Sequence, residues 1–181
     1  MTPNELLASV LQTIPQLVYD DASALGVLLK QAVTVYQENA GVISTLDTDS
    51  TTFTKPAFFT RTVSACDSVR RWVAVKEGDT DLTLLVDDRH KGPFTFNYLI
   101  KLSEMDFEED HFPSNVATSI LFDYLLALID IRNNESLRRI YISGTMDTSG
   151  LMLPAELKAR LDEARAAMKS RRSVLPMVTV Y

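Results

Sequence analysis

The stretch GVISTLDTDSTTF (residues 41–53) is where the chain changes its hydrophobic period. Before it, apolar residues recur at helical spacing; after it, apolar and polar residues alternate. The apolar run ends in Asp47-Thr48-Asp49-Ser50-Thr51. As local structure, this is a strand running into a polar turn. As a motif, it offers Asp47 as nucleophile and Asp49 as acid/base for a small metal-dependent phosphotransferase. The two readings require different folds, and the flanking sequence distinguishes them.

Upstream, the spacing of Leu6, Leu7, Val10, Leu11 and Ile14 predicts a helix over 3–18, with Pro3 tolerated in its first turn and Pro15 kinking or ending it. A second helix follows. Asp20, Asp21 and Ser23 supply capping oxygens and acidic charge at its positive end. Leu25, Leu28, Leu29, Ala32, Val35 and Tyr36 form its apolar stripe, and Gly41 is the left-handed residue that closes it.

Downstream, AFFTRTVSA, VRRWVAVKE, TDLTLLVDD and FTFNYLIKL are strand-like runs, with EGDTD and DDRHKGP as turns. In the last run Phe94, Phe96, Tyr98 and Ile100 share one face. Thr95, Asn97 and Lys101 share the other, with Leu99 the exception. Such half-wet alternation predicts an antiparallel sheet rather than a buried parallel one. The acidic connector SEMDFEEDHFPSN (103–115) leads to a third helix capped by Ser114 or Asn115. Its stripe of Ile120, Leu121, Tyr124, Leu125, Leu128 and Ile129 is widened by Phe122 and Leu126, which predicts a central position. NNESLRRIYIS continues it after a break, and SGTMDTSGLML is a loop. Pro154 opens the last helix, with Leu157, Leu161, Ala164 and Met168 inward and Glu156, Lys158, Arg160 and Asp162 outward.

The order is helices, a β-rich block, then helices. The predicted fold is α+β: a helical bundle (1–48 and 105–170) with an inserted antiparallel β-sheet (49–104) and an extended C-terminal arm (171–181). The 181 residues, 46% hydrophobic and 23% charged, suffice for such a core. The net charge of −6 argues against duplex DNA or an anionic membrane as a direct ligand. Cys66, the only cysteine, excludes an internal disulfide and fits a small core residue. The N-terminus has no basic region of the kind that begins a secretory signal, and the run Ile120–Ile131 is broken by Asp123 and Asp130, so a soluble protein is expected.

The phosphotransferase reading can be tested against this layout. A haloacid-dehalogenase-like site needs its nucleophile at the end of a parallel strand, followed by a Ser/Thr strand and a final acidic pair. LLVDD (84–88) imitates the pair and IYISGT (140–145) the strand, but they come in the wrong order among antiparallel strands. The segment is not a calcium loop, since Thr52 occupies the glycine position. His90 and His111 lack metal-ligand spacing and fit surface turns. Neither a cofactor nor a metal is expected, and no residue is singled out as catalytic.

Two interaction devices remain. The tail, Arg171, Arg172, Val174, Leu175, Pro176, Met177, Val178, Val180 and Tyr181, is a strand-former suited to a groove or sheet edge in its own chain or a neighbour's. The connector concentrates Glu104, Asp106, Glu108, Glu109 and Asp110.

The capped helix DASALGVLLKQAVTVYQENAG (21–41), the β-rich insertion, SNVATSILFDYLLALIDIRN, PAELKARLDEARAAMKSRR and the terminal arm together resemble tailed-bacteriophage head–tail connector proteins, also called neck, adaptor or head-completion proteins. The resemblance is one of layout across most of the chain. It implies a non-enzymatic virion protein forming a homo-oligomeric ring in the neck, between the portal protein and tail or neck proteins. It also implies an arm that docks on the portal and a lumen that DNA crosses without specific binding, with the acidic connector as a candidate lining. The alternative from another class is a partner-binding adaptor that uses its C-terminal strand.

Overall fold

The computed structural model describes residues 1–171. Among these residues the chain forms two compact units, one of Gly41–Met105 and one of Met1–Ala40 with Asp106–Arg171. The first boundary thus falls at Ala40/Gly41, ahead of the 48/49 position expected, because the strand after Gly41 pairs into the sheet and not with the helices.

The helical unit contains α1 (Pro3–Leu11), α2 (Ala22–Ala40), α3 (Thr118–Ser143) and α4 (Pro154–Ser170). Helix α1 is held by a reciprocal cap: the Glu5 N–H donates to the Thr2 hydroxyl, and the Thr2 N–H donates to the Glu5 carboxylate at 2.8 Å. It stops at Leu11, short of the expected 18, because Pro15 has no N–H to return and disfavours helical backbone at Ile14. Asp21 caps α2 by accepting from the Ser23 and Ala24 N–H groups, and Gly41 closes it at φ +65°. Val33, not Val35, completes the buried stripe.

Helix α3 is the centre of its unit and packs on α1, α2 and α4. Leu121, Tyr124, Leu125 and Ile129 are fully buried on it. Two expectations fail here. Ala117, not Ser114 or Asn115, precedes its first turn, with the Ala117 N–H donating to the Tyr36 hydroxyl of α2 at 2.8 Å. The helix also runs unbroken through NNESLRRIYIS. Asn133 looks like a breaker but is buried as a tie: Oδ1 accepts from the Val18 and Tyr19 N–H groups at 2.7 and 3.1 Å, and Nδ2 donates to the Gln16 carbonyl at 2.8 Å. The α1–α2 connector, which has no regular partner, thereby satisfies its backbone on α3.

The sheet unit contains β1 (Ile43–Thr48), β2 (Thr52–Thr54), β3 (Phe59–Cys66), β4 (Ala74–Glu77), β5 (Asp81–Leu85) and β6 (Phe94–Ile100). These form two three-stranded antiparallel sheets, ordered β1-β6-β3 and β2-β5-β4, rather than one. Phe94, Phe96, Tyr98 and Ile100 of the central β6 are buried as the alternation predicts. Phe96 meets Phe53 of β2 edge-on at 5.3 Å and stacks with Tyr98 at 5.4 Å, so the aromatic cluster spans both sheets. Glu77 of β4 adds a polar tie, accepting from the Thr62 N–H of β3 at 3.1 Å.

Candidate functional site

The opening stretch proves to be a corner at which the chain passes from one sheet to the other. Its polar residues serve the turn: the Ser50 N–H donates to the Thr48 hydroxyl at 3.0 Å, and the Ser50 hydroxyl donates to the Thr52 carbonyl at 2.6 Å. Asp47 is exposed on the edge strand β1 and accepts from the Thr95 hydroxyl of its cross-strand partner at 2.8 Å. Its strand neighbour is antiparallel, and IYISGT is the last turn of α3 and the bend beyond it, not a strand. The phosphotransferase constellation is therefore not assembled. Among the described residues, no group of three or more His, Cys, Asp or Glu side chains is placed to hold a metal.

A more organised site lies at the end of the sheet unit where the loops 67–72 and 86–92 interlock. Asp67, 3% exposed, is its hub. One carboxylate oxygen accepts from the Val69 and Arg71 N–H groups at 3.0 and 2.7 Å, and the other accepts from Lys91 N–H at 3.4 Å. The turn it closes holds Arg70 at φ +65°, an uncommon conformation for a side chain of this size. VRRWVAVKE was expected to be one strand. Its first residues are taken by this turn, which leaves β4 to begin at Ala74.

The second loop is fastened by His90, whose side chain is 14% exposed and not the surface histidine expected. Its Nε2 lies 3.2 Å from the Trp72 carbonyl. A carbonyl only accepts, so Nε2 carries the proton. Nδ1 faces the Asp87 N–H and carboxylate at 3.1 and 2.8 Å. Arg89 forks onto Asp87 through Nε and Nη2 at 3.0 and 2.6 Å, and Arg71 donates to the Arg89 carbonyl. Hydrogen bonding from Arg89 holds the Asp87 carboxyl at about 2. Burial pushes the Asp67 carboxyl up, but the N–H groups of Arg71, Lys91 and Val69 outweigh it and leave it below the usual aspartate value.

This framework displays Val69 and Trp72, each 57% exposed, and Leu85 and Val86 at the end of β5 are exposed as well. Arg70 and Lys91 accompany them with no side-chain partner among the described residues. A rigid loop pair that carries an exposed tryptophan and exposed basic residues has the composition of an interaction surface, since aromatic and arginine side chains dominate binding hot spots.

The helical unit offers a groove between α3 and α4 of about 330 Å³. Leu126, Ala127, Ala164 and Ala167 line it with apolar surface, and Asp123, Asp130 and Glu163 give it an acidic rim. Asp130 is half-buried, and its nearest cation, Arg160 Nη1, is 4.0 Å away. Burial therefore raises its carboxyl above the ordinary value against a weaker pull from Arg160. At the far end of α3, Arg138 clamps the following loop by donating to Asn134 Oδ1 at 2.9 Å and to the Met152 carbonyl at 2.7 Å.

The acidic connector is divided in role. Glu104 pairs with Lys101 at 2.7 Å in the sheet unit. In the helical unit Asp106 accepts from the Glu108 and Glu109 N–H groups, and Asp110 accepts from the Asp106 N–H at 2.7 Å. Glu108 and Glu109 are left exposed. Of the arm, Arg171 caps α4 and is exposed, while Arg172, Val174, Leu175, Pro176, Met177, Val178, Val180 and Tyr181 lie outside the described residues.

The loop pair was missed in the sequence because its bonds run from Asp67 to backbone groups at residues 71 and 91, which no local pattern reports. A usable signal was present: one tryptophan directly after two arginines in an acidic chain. No protein-family model and no curated protein matches the chain. Among the described residues, no helix is long and apolar enough to cross a membrane.

Proposed function

We propose that this chain is a structural protein of a tailed-phage neck, assembling as a ring between the portal protein and the tail. The observation that carries the reading is the insertion of an antiparallel sheet unit between α2 and α3 of a helical unit, the layout on which the resemblance to head–tail connectors rests. Each unit presents an interaction feature, the Trp72 loops in one and the acid-lined groove in the other, and ring assembly requires two such unlike patches on each copy. The arm from Arg171 to Tyr181 is assigned to the portal. Glu104, Asp106, Glu108, Glu109 and Asp110 are assigned to the channel, where like charge lets DNA slide without sticking.

Quantitative mass spectrometry of purified virions tests this. Roughly a dozen copies per particle, the symmetry of one portal ring, supports the neck assignment. Hundreds would move the chain to the capsid or tail tube, and absence from the particle ends the proposal. Reversal of Glu108, Glu109 and Asp110 to Lys is expected to slow genome ejection if they line the channel; unchanged ejection places them elsewhere.

A further inference from the structure

Resting on the ring reading, we propose that neighbouring copies join by inserting the Trp72 loops of one sheet unit into the α3–α4 groove of the next copy's helical unit. The two surfaces match in three respects. The indole of Trp72 is 57% exposed on a loop pair pinned by Asp67 and His90, so it is offered without loop ordering at the moment of contact. The groove has an apolar floor that includes Ala127, Ala164 and Ala167, and at about 330 Å³ it is of the size that accepts a compact aromatic group.

Charge is the second match. Arg70 and Lys91 lie on the same two loops as Trp72 without side-chain partners among the described residues, while the groove is lined by three acids, Asp123, Asp130 and Glu163, against one cation, Arg160. Among the described residues, the cation nearest Asp130 is Arg160 at 4.0 Å. A guanidinium from a second copy would supply the close, charge-assisted contact that this half-buried carboxylate lacks. The third match is one of symmetry. The loops and the groove are different patches, so the contact is head-to-tail and propagates from copy to copy until it closes, which is the geometry a ring requires and a two-fold dimer does not.

The test uses two full-length variants that each destroy one half. Trp72→Ala removes the indole at an exposed position whose structural work is done by its backbone. Ala167→Arg fills the groove with a helix-compatible cation that repels the arginines. Circular dichroism first verifies that both fold. In sedimentation velocity across a concentration series, the wild type is expected to form higher oligomers. Each variant alone is expected to associate at least roughly thirty-fold more weakly, the loss typical of a truncated hot-spot tryptophan. Mixed one to one, the two variants retain one intact loop pair and one intact groove between them and are expected to form a dimer that grows no further. Asp130→Asn, a milder lesion, is expected to weaken assembly less than Ala167→Arg.

Oligomers that persist in both variants overturn the inference and leave the ring reading standing. Oligomers lost only on deletion of residues 172–181 assign the contact to the tail and also overturn it. Quenching of Trp72 fluorescence by a single-stranded oligonucleotide, with no response to a second copy, overturns it in favour of nucleic acid. A wild type that stays monomeric at its highest soluble concentration overturns this contact, while the copy number per virion still decides the neck assignment.

Discussion

Two aspartate-bearing corners of the sheet unit differ in a way that bears on how motifs should be weighed. The Asp47–Thr51 corner matches a catalytic pattern, yet its acids are exposed and its hydrogen bonds reach only to the next strand or two residues along the chain. The Asp67 corner matches no pattern, yet its carboxylate is buried, gathers three N–H groups from two loops and supports an exposed tryptophan. What separates them is burial: an exposed carboxylate can be exchanged with water, whereas a buried one obliges the backbone to be arranged around it.

Phe96 tests the ground the corners share. It pairs with Leu46 on the strand leading to Asp47 and with Ala65 on the strand leading to Asp67. Phe96→Ala is expected to cost about 3–5 kcal/mol and to melt both corners together, measured by chemical denaturation with Trp72 as the fluorescent reporter. Loss of Trp72 signal while the rest of the sheet unit stays folded would break that link.

Asn133→Ala serves as the control in the other unit. It strands the Val18 and Tyr19 N–H groups, for a cost of about 1–3 kcal/mol in helical-unit stability by circular dichroism, with Trp72 emission unchanged at low denaturant.

The corners themselves come next. Asp67→Ala is expected to lower the sheet unit's melting temperature clearly and to shift the Trp72 emission. Asp47→Ala, a surface change, is expected to stay within about 0.5 kcal/mol. Equal effects would erase the distinction drawn between them.

The smallest effect is in acid. Asp87 is held at about 2 against an ordinary value of 3.8, so its contribution is fully present above pH 4 and is lost as the pH falls toward 2. Asp67 is shifted in the same direction. Glu77 of the sheet unit is lowered too, whereas in the helical unit Asp147 is lowered but Asp130 is raised, so ionisation of Asp130 opposes folding at neutral pH and that penalty disappears on protonation. The sheet unit is therefore expected to weaken in acid relative to the helical unit, and Asp87→Asn to flatten that dependence. Trp72 fluorescence and far-ultraviolet circular dichroism followed down a pH series separate the two.

Much of the fold is legible in the sequence where its causes are local. Helix α2 is flanked directly by its caps Asp21 and Gly41, α4 begins on a proline, and β6 alternates cleanly between faces. What escaped has non-local causes. Asn133 is a poor helix residue that stays helical because a connector more than a hundred positions away in the sequence bonds to it. The chain crosses between two sheets at Ser50, and neither strand reports which sheet it will join. The site followed the same rule: Arg70-Arg71-Trp72 is a local hint, but the buried Asp67 carboxylate that joins their loop to that of Lys91 is non-local.

The antiparallel pairing of β1 with β6 has a consequence for how such a chain could be rebuilt. The first and last strands of the inserted segment are direct neighbours, and the Ile100 N–H donates to the Val42 carbonyl at 3.1 Å where the segment begins and ends. Folding of residues 41–105 thus brings their own two ends together, and closing a short span costs less chain entropy than closing a free loop of that length. A segment closed in this way is a cassette, able to be excised, exchanged or circularly permuted at its own seam.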